Sequence, residues 1–183
     1  MASYAGQLLV ATPRLVDPNF ARAVIFLLDH DEDGALGVVI NRPSQLPVRA
    51  VLPAWAGAVS EPPLLFTGGP VAQDSALAVG MSSGAGPEVG FRRLVGNFGL
   101  VDLDAEPTDL EAGLLGVRVF SGYAGWSPGQ LEEEIAEDSW YLVATAPQDL
   151  LNPTPELLWR TILRRQPGEL AYVATFPDDP TMN

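Results

Sequence analysis

Glycine and proline break this chain so often, 18 and 17 times in 183 residues, that it must be built from many short elements rather than long helices. Between the breaks the sequence is strongly apolar. The run Ala23–Asp29 (AVIFLLD) is continuous, with β-branched and aromatic members, the pattern of a strand covered on both faces. A polar turn, DEDG at 31–34, separates it from Leu36–Ile40 (LGVVI), so the two read as an antiparallel hairpin. Hydrophobic residues make up 47% of the chain. That suffices for one sizeable core, since a chain of ~150 residues already buries ~70% of its unfolded surface.

Further strands are expected at Gly6–Thr12, Leu64–Thr67, Ser75–Val79, Val117–Ser121 and Trp140–Thr145, and within Phe91–Leu103, broken near Gly96-Asn97. Asp17-Pro18 starts a short helical turn. Pro43–Pro63 resists assignment apart from a short helix within Val48–Ala56, interrupted at Pro53, and Gly80–Gly90 reads as a mobile loop. Thr108 and Glu111 have capping-box spacing for a helix ending near Gly113. Ser127 and Gln130 repeat it for a helix to about Asp138, with Leu131 and Ile135 on one face. Thr154-Pro155 opens the last helix, to about Arg165, with Leu158 and Ile162 inward. Strands joined by tight turns and by helices imply a mixed α/β (α+β) arrangement, a large mixed sheet flanked by helices. We expect a single compact domain over 1–183, with its core at about 6–165. The tail, 166–183, is polar apart from Leu170–Phe176.

The net charge of −13 repels nucleic acid and anionic lipid at long range. All ten basic residues are Arg, which removes Schiff-base lysine chemistry and the lysine of a phosphate-binding loop. Without Cys there is no thiol nucleophile, thiolate metal site or disulfide. With one His, His30, a zinc site would need its other ligands from carboxylates alone, so neither metal nor cofactor is expected. No signal peptide is seen, and the apolar run Ala23–Leu28 is far below the ~20 residues of a membrane span, so the expected location is the cytoplasm, away from membranes.

Three segments carry unusual chemistry. Phe120–Gln130 (FSGYAGWSPGQ) reads as a strand entering a loop that displays Tyr123 and Trp126 between Gly122, Gly125 and Gly129, then launches a helix at Gln130. Phe66–Val71 (FTGGPV) ends a strand in Gly68-Gly69, an anion nest or a tight turn. Ile40–Pro43 (INRP) offers Asn41 to orient a polar ligand and Arg42 to grip a carboxylate or phosphate, or to close a turn and pair with an acid. His30 is an acid/base candidate beside Asp29, Asp31 and Glu32, with a satisfied turn histidine as the plainer account. Glu132, Glu133 and Glu134 point about 100° apart on a helix and suit its macrodipole better than they suit a shared site. Glu134 lies four after Gln130, on a shared face. Arg160, Arg164 and Arg165 read as cations near a helix end rather than a nucleic-acid stripe.

Taken together, GQLLVATPRLVDPNFARAVIFLLDHDEDGALGVVINRP, then TGGPV, then GYAGWSPGQLEEEI with Trp140 after it resemble the AlgH/YqgE family of bacterial proteins over most of residues 6–165. The resemblance implies a mixed α/β domain with a large sheet containing a partly open barrel, and a link to transcriptional control, with no established activity, cofactor or binding residue. Many members place a histidine where this chain has Gly80, so a two-histidine mechanism or metal site is not implied here. The reading favoured is a non-catalytic binding or regulatory module, linked indirectly to transcription. It would take a small polar ligand or a protein at Asn41, Arg42, Gly68, Gly69, Gly122, Tyr123, Trp126 and Gln130, if these strand ends converge. The alternatives are a hydrolase using His30 and, against the charge, a direct DNA-binding regulator.

Overall fold

The protein, described here over residues 2–177 by a computed structural model, is organised by how its strands divide their side chains. In β1 (Leu8–Ala11) and β2 (Val24–Asp31), Leu8, Val10, Val24, Phe26 and Leu28 enter one core, while Leu9, Ala11, Ile25 and Leu27 enter a second on the opposite face. The two-residue period of a strand therefore sorts a continuous apolar run into two cores, which is why no polar face is needed. The hairpin partner β3 (Gly34–Val39) pairs antiparallel with β2, and β10 (Trp140–Val143) closes the far side of β1.

The second half of the sheet is built on β9 (Leu114–Trp126), thirteen residues long, and β6 (Val71–Ser82), twelve residues long. Both exceed the strands expected at Val117–Ser121 and Ser75–Val79. Two expectations are corrected by this. Gly80 lies inside β6 rather than in a loop, and Gly122–Trp126 continues the strand rather than forming a loop. Gly80 faces Gly99 across the ladder, and a Cβ there would sit 2.8 Å from a Val101 methyl, so the glycine answers a tight cross-strand fit. The hairpin β7 (Phe91–Val95) and β8 (Phe98–Val101) follows, its turn at Gly96-Asn97. It curls back over the first strands: the Phe26 and Phe98 rings meet tilted by 56° with centroids 4.7 Å apart, and Gly6 comes against Val95. The sheet thus forms a half-barrel in a single compact domain.

β4 (Pro43–Pro47) pairs with β5 (Leu64–Thr67), giving the proline-rich segment a strand that sequence patterning did not assign. Proline is tolerated there because β4 lies at an edge. α1 (Val48–Val51) and a 3-10 turn at Pro53–Trp55 follow the interrupted helix expected there. α2 (Pro107–Leu110) starts with Pro107 in the first helical turn and has no side-chain cap, so Thr108 does not play the capping role its spacing suggested. α3 (Gln130–Ala136) and α4 (Leu158–Arg164) bury Leu131, Leu158 and Ile162 as read. The segment after Arg165 adds α5 (Leu170–Val173), whose Leu170 and Val173 pack on the first core beside buried Ala174. The tail is therefore apolar enough to join the core as far as 174; residues 178–183 lie outside the described residues.

Candidate functional site

Phe120 of β9 pairs with Phe66 of β5 and also with Leu77 of β6, so the two strands lie on opposite edges of β9. Thr67 is opposite Ser121 on one edge, and Val71 is opposite Tyr123 on the other. The chain must cross β9 in the three residues between, Gly68-Gly69-Pro70, directly at Gly122. All three glycines are buried. A Cβ on Gly69 would overlap the Tyr123 carbonyl, one on Gly68 the Gly122 carbonyl, and one on Gly122 the Gly69 carbonyl. Gly122 also has φ +75. The crossing is stitched by Gly68 N–H to Ser121 O at 2.9 Å and Val39 N–H to Gly68 O at 2.8 Å. The glycines of TGGP and SGYAG are therefore each other's partners, backbone against backbone, rather than walls of a cleft.

INRP joins this seam. Thr67 N–H donates to Arg42 O at 2.8 Å. The Asn41 amide accepts from Val24 N–H and donates to Arg22 O, both at 2.9 Å, substituting for main-chain pairing where β2 begins. Arg42 donates to the carbonyls of Pro18, Asn19 and Ala21. Burial draws its guanidinium below the ordinary arginine value, with Asp17 offsetting part of the effect. The two side chains thus clamp the 17–23 turn, itself started by Asp17 through Asn19 N–H to its carboxylate at 2.8 Å.

Trp126 and Gln130 sit at the other end of β3, so the eight candidate residues do not line one cleft. There, Ala35 of β3 lies between His30 of β2 and Trp126 of β9. Gln130, the first residue of α3 after its N-cap Gly129, accepts from the Ser127 N–H and hydroxyl, both at 3.0 Å, and donates to the far oxygen of Glu134 at 2.8 Å. The near oxygen of Glu134 takes the indole N–H of Trp140 at 2.9 Å and of Trp126 at 3.2 Å. One carboxylate thereby fastens α3 to β9 and β10. Tyr123, half-buried, packs on the first core.

His30 is buried, with 1% of its side chain exposed, and both ring nitrogens are committed. Nδ1 accepts the Tyr4 backbone N–H at 2.9 Å, so it carries a lone pair; the ring proton is therefore on Nε2, which faces Glu132 Oε1 at 2.5 Å. The bond to His30 holds the Glu132 carboxyl below the usual carboxylate range. Glu132 thus proves to be a partner of His30 rather than only a favourable charge near a helix start. Tyr4 stacks on the ring, centroids 4.8 Å apart. Beside it, a cavity of about 290 Å³ is lined by Ser3, His30, Asp31, Glu32 and Asp33.

Sequence reasoning passed over Arg118, 1% exposed, which donates to the carbonyls of Glu61, Leu150 and Asn152 and lies over the Phe66 ring at 4.3 Å. Burial lowers it to about 10. No pattern marks an arginine in a strand as buried; the alternation of β9 places it between Val117 and Val119 on the opposite face. The Arg160–Arg165 stripe dissolves: Arg160 reaches the Ala174 carbonyl, and Arg165 forms a bidentate pair with buried Asp149 at 2.7 and 2.5 Å. Among the described residues, no group of three or more His, Asp or Glu stands close enough to hold a metal ion, and no helix is long and apolar enough to cross a membrane.

The fold defines a class, a half-barrel of mixed α/β type flanked by helices and sealed by a glycine crossover. Comparison then places the chain: it belongs to the AlgH-like family, whose profile matches residues 8–171. A UPF0301 protein of Streptomyces avermitilis is 54% identical over 187 residues, covering 100% of this chain and 97% of its own, and one of Thermobifida fusca is 47% identical, covering 99% and 96%. The crystal structure of protein DIP2367 from Corynebacterium diphtheriae matches with TM-score 0.88 at 34% identity, covering 94% of this chain and 92% of that one. The solution structure of AlgH from Pseudomonas aeruginosa matches with TM-score 0.71 at 28% identity, covering 95% and 94%.

Proposed function

We propose that this protein is a non-catalytic cytoplasmic binding module whose partner is another protein. One observation carries the reading: the groups that a catalyst or a polar-ligand site would use are already spent inside the fold. His30 has both nitrogens bonded and almost no exposed surface. Asn41, Arg42, Gln130 and Glu134 complete main-chain and side-chain bonds. Withdrawing the His30 or Asn41 side chain toward a substrate would strand a part-buried main-chain partner at a cost of about 1–3 kcal/mol. A net charge of −13 favours a partner with basic surface and opposes direct contact with DNA, so any effect on transcription would run through that partner.

The test is a panel of ester, phosphoester, amide and glycoside substrates, run at high protein concentration with the wild type and His30→Gln. The reading expects no turnover above the buffer rate in either protein. Turnover lost in His30→Gln would replace it with the hydrolase. A gel-shift series at low salt is expected to show no DNA binding; a shifted band weakening steeply with salt would restore the DNA-binding reading.

A further inference from the structure

We propose that His30 is an acid-released latch: its neutral ring holds the segment leading into β1, and a second proton, arriving at Nδ1, releases that segment. The ring already carries its one proton on Nε2, facing Glu132. A second proton has only Nδ1 to occupy, and Nδ1 is the acceptor for the Tyr4 N–H at 2.9 Å. Imidazolium formation would set N–H against N–H, turning the attraction into a repulsion and leaving the Tyr4 amide without its acceptor.

Beside Gln7 N–H to Tyr4 O at 3.0 Å and the packing of Tyr4 on the second core, the remaining ties of the segment converge on the same residue. Ser3 Oγ donates to the His30 carbonyl at 2.8 Å and accepts Ala5 N–H at 3.2 Å, and the Tyr4 ring lies parallel to the imidazole within 9°. Further along the chain the anchors are independent of His30: Gly6 N–H donates to Leu27 O at 2.8 Å, and Thr145 Oγ1 donates to Gly6 O at 2.6 Å. Release therefore stops at Gly6 and leaves β1 in the sheet.

The charged and titratable groups around the ring are Glu132 from α3, Asp29 and Asp31 on its own strand, Glu32 and Asp33 in the turn, and the Tyr4 phenol from the segment itself. Glu132 keeps its bond to Nε2–H in either state, so α3 stays docked while the segment leaves. Departure of Ser3 and Tyr4 widens the cavity of about 290 Å³ that Ser3 helps to line and uncovers the imidazole at a carboxylate-rich end of the sheet. The acidic turn then presents a different shape, and one more positive charge, when the ring is doubly protonated than when it is neutral.

Because His30 is the only histidine, its ring can be followed alone by NMR through pH ~8 to ~5, the range where histidine side chains change charge. Amide hydrogen exchange is followed in the same samples. The expected result is that protection of the Tyr4 amide falls at least about tenfold, with the midpoint of the ring titration, while Gly6 and Ile25 stay protected. In His30→Gln, whose side chain can accept from Tyr4 and donate to Glu132 without titrating, Tyr4 protection is expected to be independent of pH over that range. The latch is overturned if wild-type Tyr4 protection is unchanged through the ring titration, if the ring takes no second proton while the protein is folded, or if His30→Gln loses Tyr4 protection over the same pH range. Should His30→Gln not fold, the coincidence or separation of the two wild-type midpoints decides alone.

Discussion

At the scale of single residues, identity is set by the space or proton position each one must satisfy. Gly122 at φ +75 lies beneath the Gly69 carbonyl, so Gly122→Ala meets both backbone strain and main-chain overlap. We expect it to destabilise the protein by at least about 2 kcal/mol in denaturant unfolding, whereas Gly57→Ala, with open space around it, should change stability by under about 1 kcal/mol. Glu132 makes a pH prediction of definite sign. Its folded-state carboxyl is held below the ordinary value, chiefly by the bond from His30. Its contribution is therefore fully present above the unfolded carboxylate value and is lost as pH falls through the lower folded one. Melting temperature should drop more steeply on acidification below about pH 5 in the wild type than in Glu132→Gln; equal slopes would remove Glu132 from the acid response.

At the scale of elements, the links between segments are polar bonds of long sequence separation, and these were the hardest to read. The β2–β3 hairpin, β5 and the inward face of α4 were legible because their signals are local: period and turn residues. β9 was read short because Gly122 and Gly125 look like loop residues until the crossing chain that demands Gly122 is seen. The pairing of His30 with Glu132 joins residues far apart in sequence, and only their final positions reveal it. Glu134 ties three elements through two indoles and Gln130, so Glu134→Ala should cost about 1–3 kcal/mol and alter the emission of Trp126 and Trp140. The Asp149–Arg165 pair should be asymmetric. Arg165→Met leaves a buried carboxylate without its cation, held only by the Ala146 N–H, and is expected to cost about 3 kcal/mol, while Asp149→Asn leaves a guanidinium that is 30% exposed and free to turn to water, at a smaller cost. Equal losses in urea unfolding would argue against that asymmetry.

At the scale of the whole molecule, Gly68, Gly69, Gly122 and INRP turn out to serve a crossing within the half-barrel, while the lone histidine ties the segment before β1 to α3. The fold class was legible because apolar runs and punctuation already specify many strands with buried faces, though not how those faces divide between cores. The site was not, because the expected cleft depended on three strand ends converging, and the seam at Gly68, Gly69 and Gly122 fills their meeting point with backbone while Trp126 and Gln130 lie at the other end of β3. On the proposed reading, a partner would meet an outer surface that carries the excess of 23 acidic over 10 basic residues. The whole account turns on the claim that His30 is spent on holding structure, and one spectrum tests it: the long-range ¹H–¹⁵N correlation of the single imidazole at neutral pH. The account predicts one tautomer, protonated at Nε2, with Nδ1 acting as acceptor. An Nδ1–H tautomer, or rapid averaging between the two, would contradict it and return His30 to the list of groups free to do acid–base work.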